Sequence, residues 1–290
     1  MRRLIALAGV ALLLGVSPAS ASQLLDRNAT NVTLAVSSDG TALVTYTVGG
    51  RVRHVLAWGA VNGQPSPGRP QTGFHLDYSG GRGAWRTFKN ACTPLGSVVK
   101  FQIAACQASD GSYWAVQSWQ RSLPDYGVKP TPARAAFELR LSHWTGGQAV
   151  LSVGTGWAYK RFDQLYGQLL YGGSPVFGLK ATSAGVPLDA YGRNLYVDTF
   201  DSGYGPGWVR ENSFLVHPPT GTFCYGFFPH GSHPAGAGKL YRITVIGPGV
   251  SPDVSWEGPA PGAYDTARAT TQVAVESALM SHDPACTPHP

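Results

Sequence analysis

Apolar and polar residues alternate along most of the chain with a period of two, the spacing of a β-strand that buries one face. The first alternating segments, 32–36, 42–48 and 51–58, are separated by the turns Asp39-Gly40 and Gly49-Gly50, which are typical of hairpins. Further segments predicted as strands are 74–78, 98–105, 112–119, 137–144, 149–153, 166–171, 176–182, 195–200, 213–216, 222–228 and 241–246. So many short strands predict an all-β fold.

The alternation pauses at Gly154–Asp163 and then resumes. We therefore predict two β-sandwich domains of immunoglobulin-like or jelly-roll-like kind, residues 22–160 and 161–258. The remaining residues, 259–290, form a tail in which Tyr264–Met280 has helical spacing. Asp265 or Thr266 can cap this short helix, and one of its faces carries Ala269, Val273, Glu276 and Met280.

The composition agrees with an all-β fold, and the N-terminal residues predict where the protein is located. The 290 residues include 37 Gly and 22 Pro, which favour turns over helices. At the N-terminus, Arg2 and Arg3 precede the apolar run Leu4–Val16, which ends in Ala19-Ser20-Ala21. This is the pattern of a secretory signal peptide, so we expect residues 1–21 to be removed and the protein to be secreted and extracellular. The alternative is a retained N-terminal anchor, but the apolar run is shorter than the ~20 residues that span a bilayer. We expect no membrane insertion after cleavage.

Charge excludes one class of partner. Loss of Arg2 and Arg3 lowers the formal net charge from +6 to +4, and the remaining charges form no block along the sequence. Nucleic-acid binding normally needs a clustered basic patch, so we predict no nucleic-acid partner. Weak attraction to an anionic cell envelope remains compatible with this charge.

The four cysteines, Cys92, Cys106, Cys224 and Cys286, all lie in the part predicted to be exported. An even number in an oxidising compartment predicts two disulfides, for which three pairings are possible. We favour Cys92–Cys106, which closes a short loop, and Cys224–Cys286, which ties the tail to a strand. No CxxC spacing supports a zinc site, and no motif indicates a cofactor.

Residues 164–257 resemble the prealbumin-like, carboxypeptidase-regulatory-type β-sandwiches. The likeness is carried by GQLLYGGSPVFGLKATSAGVPLDAYGRNLYVDT, PPTGTFCYGF and KLYRITVIGPGVSPDV. Matching positions are Gly167, Gly173, Pro175, Val176, Gly178, Asp189, Gly192, Pro219, Gly221 and Phe223. The resemblance implies an extracellular structural or binding module and no catalytic residue. The chain departs from that pattern by inserting Asp201–Asn212. As a whole, it is similar to secreted proteins of high-GC actinobacteria, and its 16 Arg against 6 Lys fit such a source.

Polar and aromatic residues are densest in Val186–His230. Within it, the predicted insertion and the preceding Asp198 make a candidate binding site of Asp198, Asp201, Tyr204, Trp208, Arg210 and Glu211. Aromatic rings beside polar groups suit carbohydrate, since ring faces stack on the apolar faces of sugars. The alternatives for the carboxylates are catalysis in a cell-wall hydrolase, with acids from residues 189–211, or calcium binding. They can equally form structural ion pairs with Arg193 or Arg210.

Three histidines, His217, His230 and His233, form a second candidate site. Neutral imidazoles bind zinc or copper, so a metal-binding protein is a further hypothesis. The spacing matches no standard metal motif, and histidines in surface turns are the alternative. Taken together, the sequence favours a secreted, non-enzymatic binding or structural module of the cell envelope, with polysaccharide as its partner.

Overall fold

The computed structural model describes residues 22–59, 74–120, 136–175, 194–214, 216–217, 220–229, 231, 234–247, 250–280 and 283. Within them the protein is built from antiparallel strands and one α-helix, and the prediction of an all-β fold with a C-terminal helix is confirmed. No helix of the described part is long and apolar enough to cross a membrane.

The first half of the described chain contributes two sheets. Sheet I has the order β1-β9-β8-β7-β6 and contains β1 (Ser22–Arg27), β6 (Thr93–Pro94), β7 (Gln102–Gln107), β8 (Tyr113–Gln120) and β9 (Phe137–Trp144). Sheet II has the order β2-β3-β4-β5 and contains β2 (Thr30–Val36), β3 (Ala42–Val48), β4 (Arg51–Trp58) and β5 (His75–Asp77). A 3-10 helix, Gly81–Thr87, follows β5.

The second half contributes two more sheets. In sheet III, β11 (Phe162–Tyr171) pairs with β10 (Ala149–Ala158) on one side and with both β12 (Ser174–Pro175) and β15 (Thr222–Gly226) on the other. Sheet IV has the order β14-β13-β16-β17 and contains β13 (Asn194–Ser202), β14 (Gly205–Phe214), β16 (Leu240–Gly247) and β17 (Val250–Pro259). The helix α1 (Thr266–Met280) comes last.

Each pair of sheets encloses its own apolar core. Sheets I and II contribute Leu25, Val36, Val44, Tyr46, Val55, Trp114, Val116, Leu139 and Leu141 to the first core. Sheets III and IV contribute Ala149, Leu165, Leu169, Leu195, Val197, Phe223, Tyr241, Ile243 and Val245 to the second. The alternating pattern accounts for both, because every second residue of a strand points to the same face.

Strand β17 connects the two halves. Its Val254 and Trp256 pack against the second core, whereas the buried Asp253 accepts a hydrogen bond from Arg140 of β9 (3.2 Å). Gln117 of β8 donates to the backbone carbonyl of Asp253 (3.2 Å). The outer face of sheet I is therefore partly covered by the last strand of the chain.

Two features differ from the sequence-based prediction, and a third confirms it. The predicted pause at Gly154–Asp163 is the closed end of the β10–β11 hairpin, whose strands pair from Ala149↔Tyr171 to Ala158↔Phe162. The predicted insertion Asp201–Asn212 is the turn and most of strand β14, paired with β13. The predicted cap is confirmed, because Asp265 Oδ1 accepts a hydrogen bond from the Arg268 amide (2.8 Å) at the start of α1.

Candidate functional site

The residues predicted as a binding site lie on the β13–β14 hairpin, where Asp198 is fixed by two arginines. In the sheet register Asp198 faces Arg210 on β14 and Arg242 on β16. Arg210 donates from Nε to one carboxylate oxygen of Asp198, and Arg242 donates from Nε to the other (3.3 Å). Asp198 is 1% exposed and Arg242 is 2% exposed. Such a carboxylate acts as an internal counterion and is not presented to a substrate.

Aromatic rings cover both guanidinium groups. The Arg242 guanidinium lies 4.1 Å from the centre of the Trp208 ring, and that of Arg210 lies 4.3 Å from the centre of the Tyr196 ring. Trp208 also contacts Phe200, with 5.3 Å between ring centroids. Because Arg242 occupies one of its faces, Trp208 stabilises the sheet and is a poor platform for a sugar. Burial lowers the pKa of Arg242, and the neighbouring Asp198 opposes that shift.

Glu211 has a different environment, formed by tyrosines. Its Oε1 accepts hydrogen bonds from the hydroxyls of Tyr225 (2.9 Å) and Tyr204 (3.3 Å). Burial, with the nearby Glu211 carboxylate, raises the pKa of Tyr204 to about 12 and also raises that of Tyr225. Tyr225 was not predicted as a site residue; it lies on β15, and the sequence gives no indication that β15 approaches β14.

Asp201 closes the hairpin. Its carboxylate accepts a hydrogen bond from the Gly207 amide (2.9 Å) and forms an ion pair with the exposed Lys239 (3.0 Å). The six predicted site residues therefore share one hairpin, but they divide into a buried ion-pair cluster, a tyrosine–carboxylate cluster and a turn. The structure does not bring their polar groups together around one opening.

Of the predicted metal ligands, His217 is described, whereas His230 and His233 lie outside the described residues. The Nδ1 of His217 contacts the carboxylate of Asp283 (2.8 Å), which also accepts hydrogen bonds from the Thr220 hydroxyl (2.7 Å) and the Thr222 hydroxyl. Among the described residues, no group of three or more His, Cys, Asp or Glu could hold a metal ion. His217 thus helps to hold Asp283, which follows α1, beside the start of β15.

The disulfide prediction is confirmed in its first half. Cys92 and Cys106 are bonded, with 5.7 Å between their Cα atoms. Cys224 is also in a disulfide, while its predicted partner Cys286 lies outside the described residues.

A cleft of about 390 Å³ lies at one end of sheet I, away from the predicted site. Its lining consists of Leu95, Val98, Tyr113, Trp144, Gly146, Gly147 and Gln148. Tyr113 and Trp144 are directly opposed in the β8–β9 register, and their rings stack with centroids 5.5 Å apart. Trp144 is 1% exposed and packs in the apolar cluster of Val99, Ala105 and Ala115, so Tyr113 is the ring of this pair that reaches solvent.

Local structure holds the two walls of the cleft. The wall at Leu95–Val98 follows the disulfide-bonded Cys92, and Gln102 accepts a hydrogen bond from the Val98 amide (2.9 Å) and donates one to the Gly96 carbonyl (2.7 Å). The opposite wall is the turn before β10, where Gly146 has a φ of +81° and a Cβ would lie 3.3 Å from the Tyr171 hydroxyl. The cleft is therefore formed before a ligand arrives.

The sequence contained part of this site. Segments 112–119 and 137–144 are both predicted as strands, and antiparallel pairing of neighbours places Tyr113 near Trp144. No pattern in the sequence, however, places Leu95 and Val98 beside them.

No known protein family, no curated protein and no solved structure matches the chain. The resemblance to prealbumin-like sandwiches therefore stays a prediction.

Proposed function

We propose that this protein is an exported, non-enzymatic module of the cell envelope that binds polysaccharide in the cleft beside Tyr113 and Trp144. The observation that carries the proposal is the partly exposed Tyr113 ring, backed by the buried Trp144, in a cleft of about 390 Å³. Ligand sites in proteins are typically concave, mostly apolar and supplied with a few polar groups, and they range from roughly 300 to 1,000 Å³.

The chemistry of the lining suits a sugar better than a charged metabolite. Tyr113 offers a half-buried ring to the apolar C–H face of a pyranose. Gln148 supplies an amide that can both donate and accept hydrogen bonds, and the exposed turn Gly146-Gly147 supplies backbone groups close by. None of the residues lining the cleft carries a formal charge. The inferred ligand is therefore an uncharged sugar unit of a polymer.

The proposed architecture is two β-sandwich domains, the first from sheets I and II and the second from sheets III and IV. The two separate cores support this division, and so does the ten-residue β10–β11 pairing, which assigns β10 to the second domain. We place the junction in the turn at residues 145–148, so the cleft lies where the domains meet. Sites between domains are a common location for ligands.

Binding is tested by retention on purified cell-wall polysaccharide and by calorimetric titration with its fragments. We expect Tyr113→Ala to weaken binding about tenfold, since loss of one stacking ring costs on the order of 1.4 kcal/mol. Tyr264→Ala is the matched control, because Tyr264 is a 36% exposed tyrosine that contacts Trp157 outside the cleft.

Two results would contradict the proposal. Equal retention of wild type and Tyr113→Ala would exclude the cleft. Loss of binding in Trp208→Phe, with Tyr113→Ala unaffected, would return the site to the β13–β14 hairpin. Export is checked separately by intact-mass measurement of protein from the culture supernatant, where the expected chain begins at Ser22.

A further inference from the structure

A second surface, on the outer face of sheet II, combines exposed cations with aromatic rings. The outward residues of β4 are Val52, His54, Leu56 and Trp58, since Val55 and Ala57 point into the first core. The 3-10 helix Gly81–Thr87 lies over the middle of this strand, where a Cβ on Gly81 would come within 2.9 Å of Leu56. The close approach requires glycine at this position.

Rings are arranged along β4 at two places. His54 stacks on Trp85 with centroids 3.7 Å apart and planes 10° from parallel, and the Arg86 guanidinium lies 4.9 Å from the Trp85 centroid. Four residues further along β4, Trp58 stacks on His75 at 5.5 Å and is still 43% exposed. Trp58 therefore offers ring surface to solvent.

The charged side chains on this face are two exposed arginines, Arg82 and Arg86, and one aspartate, Asp77, the single acidic residue in β4, β5 and the 3-10 helix. The Asp77 carboxylate is already used locally, accepting hydrogen bonds from the amides of Ser79 (2.8 Å) and Gly81 (2.9 Å). Hydrogen bonds from Ser79 and Gly81, together with the charge of Arg82, lower the pKa of Asp77, so Asp77 stays ionised and offsets part of the positive charge of Arg82 and Arg86.

The backbone that presents these arginines is strained. Arg82 has a φ of 53° and follows Gly80 (61°) and Gly81 (64°) and precedes Gly83 (109°), so four successive residues have positive φ. A non-glycine residue in that region costs about 1 kcal/mol, and such costs are concentrated at functional positions. Arg82 is exposed in this conformation.

We propose that the strip formed by Trp58, His75, Arg82 and Arg86 binds a linear acidic polysaccharide, separately from the cleft. The ring pairs at His54 and Trp58 lie four residues apart along β4, roughly 13 Å, so the strip matches a short stretch of an extended sugar chain. Arginines contact its carboxylate or sulfate groups, and the Trp58 ring stacks on a sugar face. The choice of an acidic glycan over a nucleic acid rests on the proposed export of the protein.

The test measures affinity for polygalacturonate, with neutral dextran as the uncharged probe, between 50 and 300 mM NaCl. Arg82→Gln/Arg86→Gln is expected to weaken polygalacturonate binding about tenfold at low salt and to reduce the slope of log K against log salt by about two, one for each lost contact. Trp58→Ala should weaken binding without changing that slope.

Lys160→Gln/Arg161→Gln is the matched control, since it removes the same charge from exposed positions in the β10–β11 turn. It should retain wild-type affinity and slope. Tyr113→Ala should bind polygalacturonate with wild-type affinity. The proposal for the cleft and the proposal for the strip can therefore be disproved independently of each other.

Three outcomes would overturn the proposal: equal affinity of the Arg82/Arg86 and Lys160/Arg161 double variants, equal binding of dextran and polygalacturonate, or tighter binding of single-stranded DNA of matched charge. Thermal unfolding of each variant confirms that the fold is intact, as expected for exposed positions.

Discussion

At the scale of single residues, Asp198 shows what a sequence can indicate and what it leaves open. Pairing of Asp198 with Arg210 was one alternative for this segment, and it is present. Arg242 was not foreseen, because it lies 44 residues from Asp198 and faces it only through the β13–β16 register. Register depends on the pairing of whole strands, and a local pattern does not encode it.

The Asp198 cluster yields a stability prediction. Asp198→Ala removes the buried carboxylate that Arg210 and Arg242 share, so we expect the free energy of unfolding to fall by about 3–5 kcal/mol. Urea denaturation followed by tryptophan fluorescence measures the change. Asp201→Ala is the control on the same hairpin; its Lys239 partner is 74% exposed, so little change is expected. A similar, small effect for both variants would disprove the counterion role of Asp198.

At the scale of elements, the central strands were predictable and several edge strands were not. Strands β3, β4 and β9 begin and end where the alternation predicts. In contrast, β14 and β17 are the two edges of sheet IV and contain Pro206 and Pro252. An edge strand needs only one row of hydrogen bonds and tolerates proline, so its sequence resembles a loop. This is why the sequence of strand β14 indicates an insertion into the prealbumin-like pattern rather than a strand of the sheet.

Helix α1 gives a prediction for pH. Burial raises the pKa of Glu276 to about 7, while a hydrogen bond from Gln164 (2.8 Å) partly opposes the shift. Because this pKa lies above the unfolded value of about 4.5, the stabilisation is complete below pH 4.5 and is lost as the pH rises through 7. The neighbouring Tyr166, whose pKa is raised by burial and by Glu276, stays neutral in this range.

The comparison is between wild type and Glu276→Gln, with urea unfolding measured at pH 5 and pH 8. We expect wild type to lose more stability than the variant over that interval, since the amide has no proton to release. Buried Asp163 and Asp253, whose pKa values are also raised by burial, contribute equally to both proteins and cancel in the difference. If wild type and Glu276→Gln lose the same free energy of unfolding between pH 5 and pH 8, the protonation state of Glu276 does not affect the packing of α1.

At the scale of the whole molecule, the two cores are joined through Arg140 and Asp253. Arg140 donates to Asp253 (3.2 Å), to Glu138 (3.1 Å) and to the Ser22 hydroxyl (2.8 Å), and the Asp253 side chain is 0% exposed. No sequence pattern indicates this contact, because it joins residues 113 positions apart in separate sheets.

Arg140→Ala leaves Asp253 buried beside Glu138, so we expect a loss of about 3–5 kcal/mol. The double variant Arg140→Leu/Asp253→Leu should recover most of that loss, since neither charge then remains buried. Calorimetry of the three proteins measures both effects. If the double variant is as unstable as Arg140→Ala, the interaction between Arg140 and Asp253 is not the cause.

The position of β17 also has a consequence for the order of folding. If the chain is exported from its N-terminus, sheets I and II reach the outside first, with Arg140 already bonded to Glu138 and Ser22. Its buried partner on β17 would emerge more than a hundred residues later. The first half would therefore wait in an unfinished state during translocation, and completion of the outer face of sheet I would mark the arrival of nearly the whole chain.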